Sequence, residues 1–179
     1  VDPRGKHVVM FGAGGAARAI GVEVVLAGAT RITLVNRSAQ RGEELAQLLA
    51  DRVKVDVDFV RWDQAFRVPE GVDIVINATS IGLFPDIDAR LDLDTATLRP
   101  GMVVADVIPN PPKTNLVRDA QARGAEIFFL IFKSNKASLS LLNTVPSSNI
   151  FTIDASSLMS LVFDTIKFLL QARAKKIDT

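Results

Sequence analysis

No cysteine occurs in this chain, and histidine and tryptophan appear once each. Without cysteine there is no disulfide, no thiolate nucleophile and no cysteine-held metal. A lone His7 cannot make a metal centre by itself. A basic excess is missing too: 21 Lys plus Arg face 20 Asp plus Glu, for a formal net charge of +1. A domain built mainly to hold nucleic acid carries clear surplus positive charge, so nucleic acid is not an expected partner. The apolar runs fall far short of a bilayer span and no signal peptide opens the chain, so no membrane partner is expected and a cytoplasmic location is. What is present is an apolar, weakly charged chain: 179 residues, 48% hydrophobic, 23% charged, with mean hydropathy +0.25. That composition excludes disorder for most of the length and suits one ordinary globular domain.

Short Val-rich runs alternate with helical patterns. Residues 6–11 read as a buried strand, followed by a glycine turn and an Ala-rich helix over 16–26 that Gly28 stops. A strand over 31–35 and a helix to about Ala50, capped by Ser38, come next. Residues 53–60 alternate, with Val53, Val55, Val57 and Phe59 on one face, as in a half-exposed strand near a sheet edge. Residues 72–76 and 102–107 are nearly all apolar, as central parallel strands are. A helix over 114–123 and a strand over 125–132 complete the pattern. Strands separated by helices predict an α/β fold: a Rossmann-like, doubly wound, mostly parallel sheet with helices on both faces. The expected division is a dinucleotide-binding domain over 1–145 and an apolar helical segment over 146–179. The latter has a breaker cluster at Pro146–Asn149 and a last helix over about 155–174, apolar round much of its circumference, that packs on the sheet, on another domain or on a second subunit.

Gly12, Gly14 and Ala17 fit a G-x-G-x-x-G/A turn between that first strand and helix. Gly12 permits the tight turn, Gly14 leaves room for a diphosphate, and Ala17 is small where helix crosses strand. Gly12, Ala13, Gly14, Gly15 and Ala16 are therefore the candidate diphosphate cradle, opposed by a purely structural turn. At the end of the second strand, where NAD sites carry an acid, stand Asn36, Arg37, Ser38 and Arg41, with no carboxylate before Glu43. Guanidiniums suit a phosphomonoester, which points to NADP rather than NAD. Ala78, Thr79 and Ser80 follow the fourth strand at the ligand-binding edge, and their hydroxyls serve either a cofactor or a capped turn. Asp106, inside an apolar strand, is expected to hold a loop by accepting backbone N–H bonds. The acids at 86, 88, 92 and 94 lack an ordered metal-ligand pattern and read as a solvated loop.

Four segments together resemble the shikimate and quinate dehydrogenase family. They are Gly12-Ala13-Gly14-Gly15-Ala16-Ala17-Arg18-Ala19, Val35-Asn36-Arg37-Ser38, Asn77-Ala78-Thr79-Ser80-Ile81-Gly82, and Asp106 through Thr114. They arrive in family order, and the likeness covers about residues 1–128. The resemblance implies an oxidoreductase that moves hydride reversibly between NADPH and 3-dehydroshikimate or a related cyclic hydroxy acid. It implies a catalytic Lys and Asp in a substrate domain that comes before the nucleotide domain. Nothing here matches those residues, so no catalytic residue is assigned, and the chain reads as a domain fragment whose partner is a substrate domain or a second copy. The family's Tyr in the fourth segment falls on Pro109. If Gly124-Ala125 anchors the match, a family Gly falls on Phe129, a Met on Phe132 and a Gln on Lys136. These departures keep open a non-catalytic NADP-binding module and a structural domain without cofactor.

Overall fold

The computed structural model describes residues 1–52, 55–111, 113–132 and 150–153. Its strands are β1 (His7–Phe11), β2 (Arg31–Asn36), β3 (Asp56–Arg61), β4 (Ile74–Asn77), β5 (Val103–Asp106), β6 (Glu126–Phe132) and β7 (Ile150–Ile153). They form one seven-stranded sheet in the order β3-β2-β1-β4-β5-β6-β7, and every pair is parallel. The order reverses between β1 and β4, so the crevice for a ligand opens at their carboxyl ends.

The apolar strands are apolar because both of their faces are covered. Along β1, Val8 and Met10 point to one side, Val9 and Phe11 to the other, and all four are buried. The first side packs under α1 (Gly15–Leu26) and α2 (Ala39–Arg52), through Ala17, Ile20, Val25, Leu45 and Leu49. The second packs under α3 (Asn115–Ala122) and the long connection before β5, through Trp62, Val68, Leu93, Leu116 and Val117. Helices thus lie on both faces, as the sequence pattern predicts. β3 has only one neighbour and is half exposed, which explains its alternation.

Local chemistry sets the element ends. Gly28, at φ +99°, follows the C-cap Ala27 and donates to the Val25 carbonyl, closing α1 in the left-handed conformation. Ser38 Oγ accepts the Arg41 N–H at 3.4 Å and caps α2. Asp73 pins the start of β1 by accepting the His7 N–H and the Lys6 ammonium, each at 3.0 Å. His7 Nε2 lies 2.9 Å from Thr33 Oγ1, so the one histidine sits in the sheet rather than at the ligand crevice. Burial, and then the nearby Arg31 charge, hold its pKa below the usual value.

The structure departs from the sequence reading in several places, beginning with β3, which starts at Asp56 rather than at 53. β4 begins at Ile74 rather than at Val72. Residues 150–153, grouped by sequence with the C-terminal segment, pair with β6 and extend the sheet past residue 145. The expected helix over 155–174, the pattern at 133–149 and the side chains of Phe129 and Phe132 lie outside what is described. No helix among the described residues is long and apolar enough to cross a membrane.

Leu49 is fully buried and sits within 3.4 Å of where a Cβ on Gly21 would be, so it seals α1 against α2. Leu49→Ala is expected to lower unfolding stability by about 2–5 kcal/mol in a urea titration. A loss under about 1 kcal/mol would mean that α2 does not pack as described.

Candidate dinucleotide site

The turn after β1 is built for close passage of backbone. Gly12 has φ +105°, and a Cβ there would stand 2.8 Å from the Ala78 carbonyl oxygen and 3.2 Å from Thr79 Cγ2. Only glycine meets both constraints. At Gly14 and Gly15 a Cβ would meet nothing within 4 Å, so these positions face open space. Gly14 is the N-cap of α1 and offers no side-chain oxygen, and the helix's first turn carries no acid. The first-turn N–H groups lack intrahelical partners and carry the positive end of the helix dipole. An uncapped helix N-terminus of this kind is suited to an anion. Ala17 is fully buried where α1 crosses the sheet.

The structure brings Ala78, Thr79 and Ser80 against Gly14, Gly15 and Ala16. Together with Leu83, Val107, Ile108 and Pro109 they line a cleft of about 260 Å³. Ser80 is exposed there. Thr79 is turned otherwise: its hydroxyl donates to Asn77 Oδ1 at 2.7 Å and accepts the Ile81 N–H at 3.1 Å. Its methyl, not its hydroxyl, faces the glycine turn.

The second group of candidates gathers at the end of β2, tied to the turn by Gly12 N–H donating to the Val35 carbonyl at 2.9 Å. Asn36 Nδ2 donates to the Ser38 carbonyl at 2.9 Å, which shapes the bend, and Oδ1 has no partner among the described residues. Arg37, Ser38 and Arg41 are exposed. Among the described residues neither arginine forms an ion pair. The Arg37 guanidinium carbon lies 5.2 Å from the ring centroid of Trp62, a residue the sequence patterns pass over. The available signal was the chain's one tryptophan standing directly after the edge strand.

A buried polar layer supports the cleft from beneath. Asn77, Asp106 and Thr114 are 1%, 2% and 2% exposed. Asp106 Oδ1 accepts from Asn77 Nδ2 and from the Ile108 N–H, both at 3.1 Å, and Oδ2 accepts the Thr114 hydroxyl at 2.7 Å. Thr114 Oγ1 in turn accepts the Val117 N–H and caps α3. One carboxyl thus joins β4, β5, the loop at 107–114 and α3. Burial raises its pKa to about 6, against the lowering pull of the bonds from Thr114, Ile108 and Asn77. The acidic loop has positive structural work: Asp94 Oδ1 accepts the Ala96 N–H, and the Asp92 carbonyl accepts Trp62 Nε1.

A parallel sheet with this strand order, an uncapped glycine turn and a cleft at the switch point defines a Rossmann-like NAD(P)-binding fold. The family model for shikimate / quinate 5-dehydrogenase matches residues 2–84. The chain is 34% identical over 128 residues to the shikimate dehydrogenase (NADP(+)) of Desulforamulus reducens, covering 70% of this chain and 44% of that protein. It is 39% identical over 125 residues to that of Methanocaldococcus jannaschii, covering 68% and 43%. Ligand-free 5-ketofructose reductase of Gluconobacter sp. strain CHM43 superposes with TM-score 0.68 at 48% identity, over 72% of this chain and 46% of that one. Residues 2–84 carry the shikimate/quinate dehydrogenase family match, and the chain spans less than half the length of the relatives it matches.

Asp106 gives this site a pH signature. Its folded pKa lies above the unfolded 3.8, so the folded state holds the proton more tightly. The associated stability is fully present below about pH 4 and is lost as pH rises through about 6, by roughly 3 kcal/mol. Asp106→Asn is expected to remove this component. Urea unfolding across pH 4 to 7 should give a stability difference, variant minus parent, that grows more favourable to the variant with rising pH. A difference independent of pH would contradict the raised pKa.

Proposed function

We propose that this chain is the NADP(H)-holding part of an oxidoreductase that interconverts a ketone and an alcohol on a small polyhydroxylated molecule. The observation that carries the reading is the pair of guanidiniums, Arg37 and Arg41, without an ion-pair partner among the described residues, where an NAD site would place an acid, beside an open glycine turn. Gly14, Gly15 and Ala16 would hold the diphosphate on backbone N–H groups. Arg37, Ser38 and Arg41 would hold the ribose phosphate, and Asn36 Oδ1 would accept from a ribose hydroxyl. Ala78, Thr79 and Ser80 would form the wall beyond the diphosphate. When bound, NADPH supplies the hydride; the protein's part is to bind and aim it. The Lys and Asp implied by the family resemblance have no match in these residues, so turnover is assigned to this chain together with a substrate domain.

For the substrate, the family resemblance supports a cyclic hydroxy acid of the dehydroshikimate kind. A second reading, a keto sugar, is favoured by the higher identity to 5-ketofructose reductase than to the two shikimate dehydrogenases. Pro109, which lines the cleft where the family motif carries a hydroxyl, favours instead a non-catalytic NADP-binding module.

Calorimetric titration tests the cofactor. Arg37→Ala is expected to weaken NADPH by about 10- to 150-fold, the worth of one charge-assisted bond, and to leave NADH unchanged. Equal losses for both cofactors would remove the phosphate role. The substrate is tested by adding a separately produced family substrate domain and following NADPH absorbance with dehydroshikimate and with 5-ketofructose. Consumption with one ketone selects between the readings, and tight NADPH binding with consumption of neither supports a non-catalytic module.

A further inference from the structure

We propose that Trp62 is a positioning residue for cofactor choice, acting through Arg37: its indole holds the guanidinium over the ring while the N–H donors stay free for a phosphate. The inference rests on the NADP reading above and extends it to a residue that the glycine and arginine motifs do not include.

The indole is fixed before the arginine reaches it. Trp62 is only 7% exposed. Its backbone N–H continues the β2–β3 ladder by donating to the Asn36 carbonyl at 3.0 Å, which places it beside the bend that carries Arg37. Its Nε1 donates to the Asp92 carbonyl at 3.0 Å. Asp92 is held in turn, because its carbonyl also accepts the Phe66 N–H at 2.9 Å. Phe11 packs against the indole at 5.1 Å between ring centroids, tilted by 56°, and Phe66 packs edge-on to Phe11 at 5.5 Å. A ring so confined cannot follow a mobile side chain; the side chain must come to it.

Arg37 does so from the solvent side, with its guanidinium carbon 5.2 Å from the ring centroid. A cation held over an aromatic face is attracted by the ring quadrupole, a contact that needs none of the guanidinium's N–H donors as hydrogen bonds. Those donors have no hydrogen-bond or ion-pair partner among the described residues. Arg31, Arg67 and Arg90 are different, since each is paired with an aspartate. A long side chain stripped of rotamer freedom in advance loses less on binding, so the stack favours a ligand that Arg37 touches and is indifferent to one that it does not.

The test uses the whole chain. In calorimetry, Trp62→Leu is expected to weaken NADPH by about three- to fivefold, the worth of an exposed cation–π contact, with NADH unchanged. Trp62→Phe keeps an aromatic face and should recover most of the loss. In an Arg37→Ala background, Trp62→Leu should cost NADPH nothing further. A loss shared equally by NADPH and NADH, or one that persists without Arg37, would overturn the inference while leaving the NADP reading in place. Arg37→Ala acting equally on both cofactors would end that reading and the inference with it. A second measurement needs no variant at the buried ring, because Trp62 is the chain's one tryptophan. Saturation with adenosine 2′,5′-bisphosphate should change its emission, while adenosine 5′-monophosphate should not. Unchanged emission on calorimetrically verified binding of the bisphosphate would overturn the inference, and failure of the bisphosphate to bind would overturn it together with the NADP reading.

Discussion

Everything at the ligand edge of this sheet depends on how closely the backbone at Gly12 passes the backbone at Ala78. The gap has no room for a methyl group, since a Cβ would come within 2.8 Å of a carbonyl oxygen. That closeness lets the chain leave β1, turn at a positive φ and enter α1 with its first N–H groups pointing into open space. A wider turn would carry α1 off the sheet, unpack Ala17 and aim the helix end elsewhere. The geometry that packs the first helix is thus also the geometry that presents an anion cradle.

The other half of the crevice needs a different support. In the loops after β4 and β5, polar groups add to the apolar anchors Ala78, Ile81 and Ile108 and hold the loops from below. Asp106 gathers Asn77, Ile108 and Thr114, while Asn77 passes the connection on to Thr79 and Ile81. A carboxyl in this place is desolvated, which is why its pKa rises even with three donors on it. No buried side-chain polar atom among the described residues is left without a partner, so the layer is complete without a ligand. The cleft walls are therefore preformed, and binding energy need not be used to order them.

Much of this was legible in the residues. Val8 to Phe11 read as a strand buried on both faces because both faces are covered. The glycine turn and the Ser38 cap read correctly because each is a local device whose spacing shows in a few residues. β3 betrayed its edge position by its alternation. What local pattern could not show was partnership at a distance. Thr79 read as serving either a cofactor or a capped turn, and its hydroxyl donates a hydrogen bond to Asn77 Oδ1 while its methyl faces the glycine turn. Asp106 was readable as a loop anchor, yet its bond to Thr114 depends on how the 107–114 loop folds back. Trp62 carried no motif, and its meaning arises only when β2 and β3 pair and bring it under Arg37. β7 was hidden because four residues of Ile-Phe-Thr-Ile carry too little periodicity to separate a strand from the apolar segment that follows.

The central claim is that one site grips a diphosphate on the glycine turn and an additional phosphate on Arg37. Nitrogen-resolved NMR of the chain under saturating NADP addresses both at once. The amides of Gly14, Gly15 and Ala16 and the Arg37 Nε resonance should all move, and with NAD the amides should move while Arg37 Nε stays in place. Glycine-turn amides that remain still under saturating NADP would contradict the account.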